Sequence, residues 1–181
     1  MADLTAWKTL GRQVVFSGGP LHEVAVESVR LPDGRVVPDY YVIRLPDYAL
    51  VFAEMVDGRV LMLRQYKHGP RRVCLTFPGG AIEAGEAPLA AARRELLEEL
   101  GLVPATIESL GAFVTNANQG CNTAHLYLAR GCRIVAEPTL RDLEDSEVVL
   151  MDPAALADPD RLQEIGLAAH VTLLLLALRA A

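Results

Sequence analysis

Glu95, Glu98 and Glu99 stand close together in the stretch Gly79 to Leu102, which reads GGAIEAGEAPLAAARRELLEELGL. At about 100° per residue, three acids at this spacing fall on one face of a helix. Like charges so placed repel one another. They also crowd the C-terminal half of the helix, where the macrodipole disfavours negative charge. A hard divalent cation reverses both penalties, because Mg²⁺ takes oxygen ligands and combines one or two carboxylates with substrate phosphates. Taken alone, the three acids also fit a plain solvated face. Leu89, Leu96, Leu97 and Leu100 fall on the other side and are expected to face a core. Pro88 suits the first helical position and Gly101 the residue just past the end. Ala87 is a poor N-cap, so the loop must satisfy the first N–H groups.

The wider spacing narrows the choice. Gly80 is followed after five residues by Glu86 and after seven more by Arg94-Glu95-Leu96, then Glu98-Glu99, then Gly101-Leu102. This pattern resembles the Nudix box. Seven fixed residues at usages near 7% or less would match by chance at about one starting point in 10⁸. Weaker similarity to the ADP-ribose pyrophosphatase branch extends over most of the chain.

The resemblance implies an α/β/α sandwich with a mixed sheet, preceded by a small N-terminal antiparallel β subdomain. The boundary is expected near residue 46, giving a subdomain at 1–46 that aids dimerisation and substrate contacts, and a hydrolase domain at 47–181. It implies one to three Mg²⁺ ions, with Mn²⁺ as a substitute, on Glu95, Glu98 and Glu99 and on the Gly79 carbonyl. A glycine there lets the backbone approach an ion closely. Gly80, Glu86 and Gly101 would be structural within the motif. Arg94 would brace the loop with Glu86 and orient a metal-binding glutamate. The general base would come from the acidic loop RDLEDSE, as Glu144 or Glu147, or else from the box itself, as Glu98 or Glu99. Arg64-Gln65-Tyr66-Lys67 resembles a segment of ADP-ribose pyrophosphatases, which offers Lys67 as a phosphate contact and Arg64 as a substrate contact. Tyr40, Tyr41 and Arg44 fall where relatives stack a base and bind phosphate. Strand tyrosines also serve as plain sheet residues. The loop Thr115 to Gly120 lacks the proline of the branch's Ser-Pro-Gly-like loop. Its amides, Asn118 among them, suit sugar hydroxyls and leave GDP-mannose or another nucleotide sugar open.

Composition sets limits. The 181 residues are 51% hydrophobic and 22% charged, enough apolar material for a core. A net charge of −6 disfavours a general nucleic-acid binder, which needs a basic stripe. Cys74, Cys121 and Cys132 lack metal-ligand spacing and suit reduced thiols in a cytoplasmic protein. The N-terminus has no apolar core of a signal peptide, and the run Val171 to Leu178 is too short to span a bilayer. It suggests a buried terminal helix.

The remaining elements follow from periodicity. Residues 12–45 alternate as strands, with a hairpin at Pro32-Asp33-Gly34. Pro38 marks an edge, a bend or a two-piece strand. Asp57-Gly58 signals a second hairpin. Val73 to Phe77 is a short strand leading into a glycine loop. IESLGAFVT and TAHLYLAR flank the polar loop TNANQGCN, and Ser146 to Met151 is a further strand. Asp152-Pro153 caps a short helix, and Leu162 to Ala180 is a terminal helix interrupted near Gly166.

The resemblance implies Mg²⁺-dependent hydrolysis of the diphosphate bond of a nucleoside diphosphate linked to another group, ADP-ribose first. The expected partners are that small molecule and a second copy of the chain, with no nucleic acid and no membrane. A GDP-mannose or other nucleotide-sugar diphosphatase is one alternative. A non-catalytic nucleotide-sugar-binding module is another. An enzyme for oxidised nucleoside triphosphates is disfavoured by the extra N-terminal strands.

Overall fold

The computed structural model describes residues 5–19, 22–137 and 146–180. The chain separates into two compact units, one of residues 1–46 with 114–123 and one of 47–113 with 124–181. The segment 114–123 therefore packs with the N-terminal residues, although the sequence places it between strands of the larger unit.

In the first unit, β1 (Lys8–Ser17), β2 (Glu23–Arg30) and β3 (Val36–Arg44) form an antiparallel meander. The β2–β3 turn closes through the Gly34 N–H to the Leu31 carbonyl at 3.0 Å. β3 runs through Pro38 because the ladder slips there, with Glu27 opposite Tyr40 but Val29 opposite Val37. The slip absorbs the residue that cannot donate. The end of β3 pairs in parallel with the first residues of β10 (Gly120–Ile134). Every residue of β1 is exposed, the apolar Leu10, Val14, Val15 and Phe16 included.

The second unit is built on β4 (Tyr48–Met55), which pairs in parallel with β10 from Ala124 to Cys132. The Asp57-Gly58 turn leads to β5 (Val60–Lys67), but β4 and β5 pair only through Ala53 and Glu54. The hairpin then opens. β5 goes on to pair with β6 (Arg72–Thr76) and β11 (Ser146–Met151), and the start of β4 pairs instead with β7 (Gly79–Ala81). Sequence reading treats Gly79 to Ala81 as loop, since glycine has little strand preference. Here backbone pairing to Tyr48, Ala49 and Leu50 makes it a strand. The short β8 (Leu102–Val103) and β9 (Thr106–Asn116) both pair with β10. The result is a mixed sheet.

Alternation along β4 assigns helices to both faces. Leu50 and Phe52 join a core with Leu156 of α2 (Pro153–Leu156), Ile165 of α3 (Pro159–Ile165), and Leu173, Leu174 and Ala177 of α4 (Ala168–Ala180). Ala49, Val51 and Ala53 point the other way, to Ala91, Ala92, Leu96 and Leu100 of α1 (Pro88–Leu100). Asp152 and Asp158 cap α2 and α3 with their side chains. The expected terminal helix is two helices, because Gly166 ends α3 in the left-handed region and packs against the Arg72 guanidinium. Among the described residues no helix is long and apolar enough to cross a membrane.

The α1 stripe differs from expectation in one respect. Leu89 and Leu97 are exposed, and Ala91 and Ala92 are buried beside Leu96 and Leu100. Glu95 and Glu99 are half-buried between them in azimuth. Glu95 and Glu99 thus share the buried side of the helix and meet β7 at Gly80 and Gly79, while Glu98 is exposed. Burying a leucine contributes roughly 2 kcal/mol, against a few tenths for a like-charge pair. Leu96 and Leu100 hold the helix in place despite its crowded acids.

Candidate active site

β7 and α1 meet at two glycines. Gly79 has φ of 148°, and a Cβ there would lie 2.0 Å from the Ala49 carbonyl oxygen, so only glycine lets β7 lie this close to β4. Its N–H donates to Glu99 Oε2 at 2.8 Å. A Cβ on Gly80 would meet the Glu95 carboxylate at 2.5 Å, so Gly80 makes room for that side chain. At the other end of α1, Gly101 has φ of 63° and donates its N–H to the Leu97 carbonyl at 2.9 Å. A Cβ there would strike the Ala136 carbonyl oxygen.

Arg94 gathers the charges. Its Nε and Nη2 donate to the two oxygens of Glu86, both at 3.0 Å, a bidentate fork. Nη2 also donates to the Ala81 carbonyl at 3.0 Å, and Nη1 donates to Glu95 at 2.7 Å and to Glu98 at 3.4 Å. Glu86 in turn accepts the Glu83 N–H at 3.0 Å, which closes the loop on itself. The Arg94 bonds, and then the Glu83 amide, hold the Glu86 carboxyl below the usual carboxylate range. The Glu86 bond, with Glu95 adding to it, raises the Arg94 guanidinium pKa. Gly79, Gly80, Glu86, Arg94, Glu95, Glu98 and Glu99 are therefore one connected cluster.

Among the described residues no three His, Cys, Asp or Glu side chains converge into a ready-made cation cage. The carboxylates are held by Arg94 and the Gly79 amide. Their chemistry nonetheless fits a hard divalent ion: oxygen donors on one helix face, with a backbone that glycine brings close. Lysine at position 94 tests the fork, because it keeps the charge but offers no planar pair of N–H groups. Arg94→Lys should lower turnover about 10- to 100-fold, the range for contacts that orient metal ligands. Thermal unfolding should shift by only a few degrees. Wild-type kcat/KM in that variant would contradict the role.

The other predicted residues are carried by other segments of the chain. Arg64 and Glu147 are opposite each other on β5 and β11, with Arg64 Nε 3.8 Å from the Glu147 carboxylate, both exposed. Glu147 is thus fixed in a ladder. Glu144 lies outside the described residues. Lys67 ends β5, half-buried, and the intervening Gln65 is buried, donating to Thr76 Oγ1 at 2.7 Å. In the first unit Tyr41 and Arg44 are exposed on β3, and the Tyr40 hydroxyl donates to the Asn118 carbonyl at 2.5 Å. The polar loop contracts to a turn at 117–119. Asn116 Oδ1 accepts the N–H groups of Asn118 and Gln119, and Asn122 donates to the Pro46 carbonyl at 2.9 Å. Two of its amides therefore hold backbone, and the exposed Asn118 side chain is what that turn offers a sugar.

Sequence reasoning missed His170. It sits in the first turn of α4, its ring stacks on Phe77, and its Nδ1 accepts the Phe77 N–H at 3.0 Å. A single histidine in an apolar helix carries no motif that would single it out.

Residues 44–170 match the model of the NUDIX domain, and residues 7–43 match the nucleoside diphosphate sugar hydrolase N-terminal domain. The chain belongs to the Nudix family, whose members generally use divalent metal ions. It is 29% identical over 157 residues to an ADP-ribose pyrophosphatase of Bacillus subtilis (strain 168), covering 87% of this chain and 83% of that protein. It is 31% identical over 131 residues to a methanol dehydrogenase activator of Bacillus methanolicus, covering 72% of this chain and 70% of that protein. A crystal structure of an ADP compounds hydrolase superposes with a TM-score of 0.82 at 22% identity, covering 99% of this chain and 96% of that one, which shows a shared fold.

Proposed function

We propose that this protein hydrolyses the diphosphate bond of a nucleoside diphosphate sugar, ADP-ribose first, with Mg²⁺ as its ion. The observation that carries the reading is the Arg94-centred cluster, which joins Glu86, Glu95 and Glu98 to a loop whose Gly79 amide binds Glu99. The names of the relatives support the substrate class.

Glu95, Glu98 and Glu99, with the Gly79 carbonyl, would hold the ion. When bound, it neutralises diphosphate oxygens and lowers the pKa of a coordinated water. Arg94 keeps Glu95 turned toward the loop, and the Gly79 amide fixes Glu99. Glu98 is the most open of the three, with its side chain 49% exposed against 13% for Glu95. Its carboxylate takes the proton as water oxygen bonds to one phosphorus. The bridging oxygen leaves with the other phosphate and takes that proton back from Glu98. The products are a nucleoside monophosphate and a sugar phosphate, AMP and ribose 5-phosphate for ADP-ribose.

We assign a homodimer to the exposed apolar side chains of β1, where Val15 is 53% and Phe16 59% exposed. Exposed apolar side chains on an edge strand favour pairing with another chain. Light scattering at micromolar concentration should give twice the chain mass.

The reaction is tested by a panel of ADP-ribose, GDP-mannose, FAD, NADH and diadenosine polyphosphates with Mg²⁺, read by product mass. ADP-ribose should give the highest kcat/KM. Tight binding of a nucleotide sugar that is recovered intact would favour a binding module instead, and preference for a triphosphate would favour a nucleotide-cleansing enzyme.

A further inference from the structure

The segment Phe77 to Gly79 is held from both faces of the sheet. From α1, Glu99 accepts the Gly79 N–H at 2.8 Å. From β4, the Val51 N–H donates to the Pro78 carbonyl at 2.9 Å. From α4, on the opposite face to α1, His170 Nδ1 accepts the Phe77 N–H at 3.0 Å. Phe77 lies past the last rung of β6, where Thr76 pairs with Leu63, so the sheet ladder leaves its amide for another acceptor. The imidazole also stacks on the Phe77 ring, with centroids 6.2 Å apart and planes 14° from parallel.

Nδ1 can accept a hydrogen bond only when it carries no proton. Burial, with the Lys67 charge adding to it, pushes His170 down to about 3, and the positive end of the α4 dipole acts in the same sense. The ring is therefore neutral around pH 7 and a constant acceptor. Phe77 itself is buried against Phe52, at 5.4 Å between centroids, so a shift of its backbone has little room to relax.

We propose that His170 is a positioning residue for the acidic cluster: by taking the Phe77 amide it fixes where Gly79 meets Glu99, and so sets the affinity of the cluster for a divalent cation. The inference deepens the proposed function and rests on it. It assigns a role to a residue on the far side of the sheet from every carboxylate in the cluster.

The test compares three variants of the full chain. His170→Phe keeps a stacking ring and removes the acceptor. His170→Asn places an amide oxygen near the position of Nδ1. Leu174→Val trims the same core without touching the bond. Mn²⁺ binding is read by electron paramagnetic resonance of the free ion, and exchange of the Phe77 amide by NMR. His170→Phe should weaken Mn²⁺ binding about 10-fold, as loss of an orienting contact does, and should speed Phe77 exchange at least about 10-fold through local opening. His170→Asn should restore both, and Leu174→Val should lower Tm with neither changed. Unaltered Mn²⁺ affinity in His170→Phe, or an equal loss in Leu174→Val, would overturn the proposal. If His170→Phe does not fold, His170→Gln, with its acceptor displaced by one bond, replaces it in the comparison. Wild-type chain that binds no Mn²⁺ would overturn the ion reading as well, and that arm separates the two failures.

Discussion

Glu99→Gln should lower kcat on ADP-ribose about 10³-fold while the unfolding temperature stays within about 2 °C of the parent, the drop equalling several kcal/mol of lost charge stabilisation. The geometry makes the substitution clean. Glu99 Oε2 accepts the Gly79 N–H at 2.8 Å, and a glutamine carbonyl can accept the same bond. What disappears is one negative charge in a row of three. Removing it also relieves like-charge repulsion worth a few tenths of a kcal/mol and an unfavourable charge near the helix C-terminus. The fold keeps the Gly79 bond in a weaker, neutral form and sheds the repulsion, while the donor set loses an anionic ligand. Glu95→Gln is less clean, because Arg94 Nη1 donates to that side chain at 2.7 Å. Paired steady-state kinetics and thermal melts on Glu99→Gln distinguish chemistry from folding. Activity within about threefold of the parent, against the 10²–10⁴ range for a group acting on the reaction itself, would remove Glu99 from the mechanism.

Gly79→Ala should do the reverse and damage the fold first. At φ of 148° an alanine is strained whatever the space, and its Cβ would lie 2.0 Å from the Ala49 carbonyl oxygen and 2.9 Å from Leu50 Cα. Both atoms are backbone of buried residues of β4, so no side chain can swing aside. β7 must part from β4, breaking the rung between Gly79 and Leu50 and the Gly79 bond to Glu99. The cost should be about 2–4 kcal/mol, from backbone strain and lost buried hydrogen bonds, or roughly 5–15 °C in Tm for a chain of this size. Gly80→Ala is the matched control. Its Cβ would meet the Glu95 carboxylate at 2.5 Å, the far end of a flexible side chain. It should displace Glu95 and cut activity while leaving Tm nearly unchanged. Equal melts for Gly79→Ala and the parent would mean β7 does not lie against β4 as described.

The contrast explains what the sequence makes legible. The box could be read because its chemistry demands fixed residue types at fixed helical spacing: carboxylates one turn apart, an arginine able to reach back to Glu86, and glycines at the close approaches. Hairpins at Gly34 and Gly58 were legible for the same local reason. β7 was not, since Gly79 to Ala81 becomes a strand only through pairing with β4. The burial of α1 departs from the leucine pattern at Leu89 and Leu97, because small Ala91 and Ala92 take the seam where the helix packs on the sheet. Asn116 uses its amide on its own turn and Asn122 on the distant Pro46 carbonyl, which composition does not reveal. Nor did any local signal attach residues 114–123 to the N-terminal unit, where Tyr40 reaches Asn118 across 78 positions of sequence.

The central claim is that the carboxylates of α1 work by sharing a divalent ion with a bound diphosphate. Hydrolysis of ADP-ribose in ¹⁸O-labelled water, run with Mg²⁺ and with chelator and read by product mass, tests it most directly. The account predicts AMP and ribose 5-phosphate, one of them carrying a single labelled oxygen, with Mg²⁺ and no products under chelation. Intact ADP-ribose in the presence of Mg²⁺, or equal turnover with and without the ion, would contradict it.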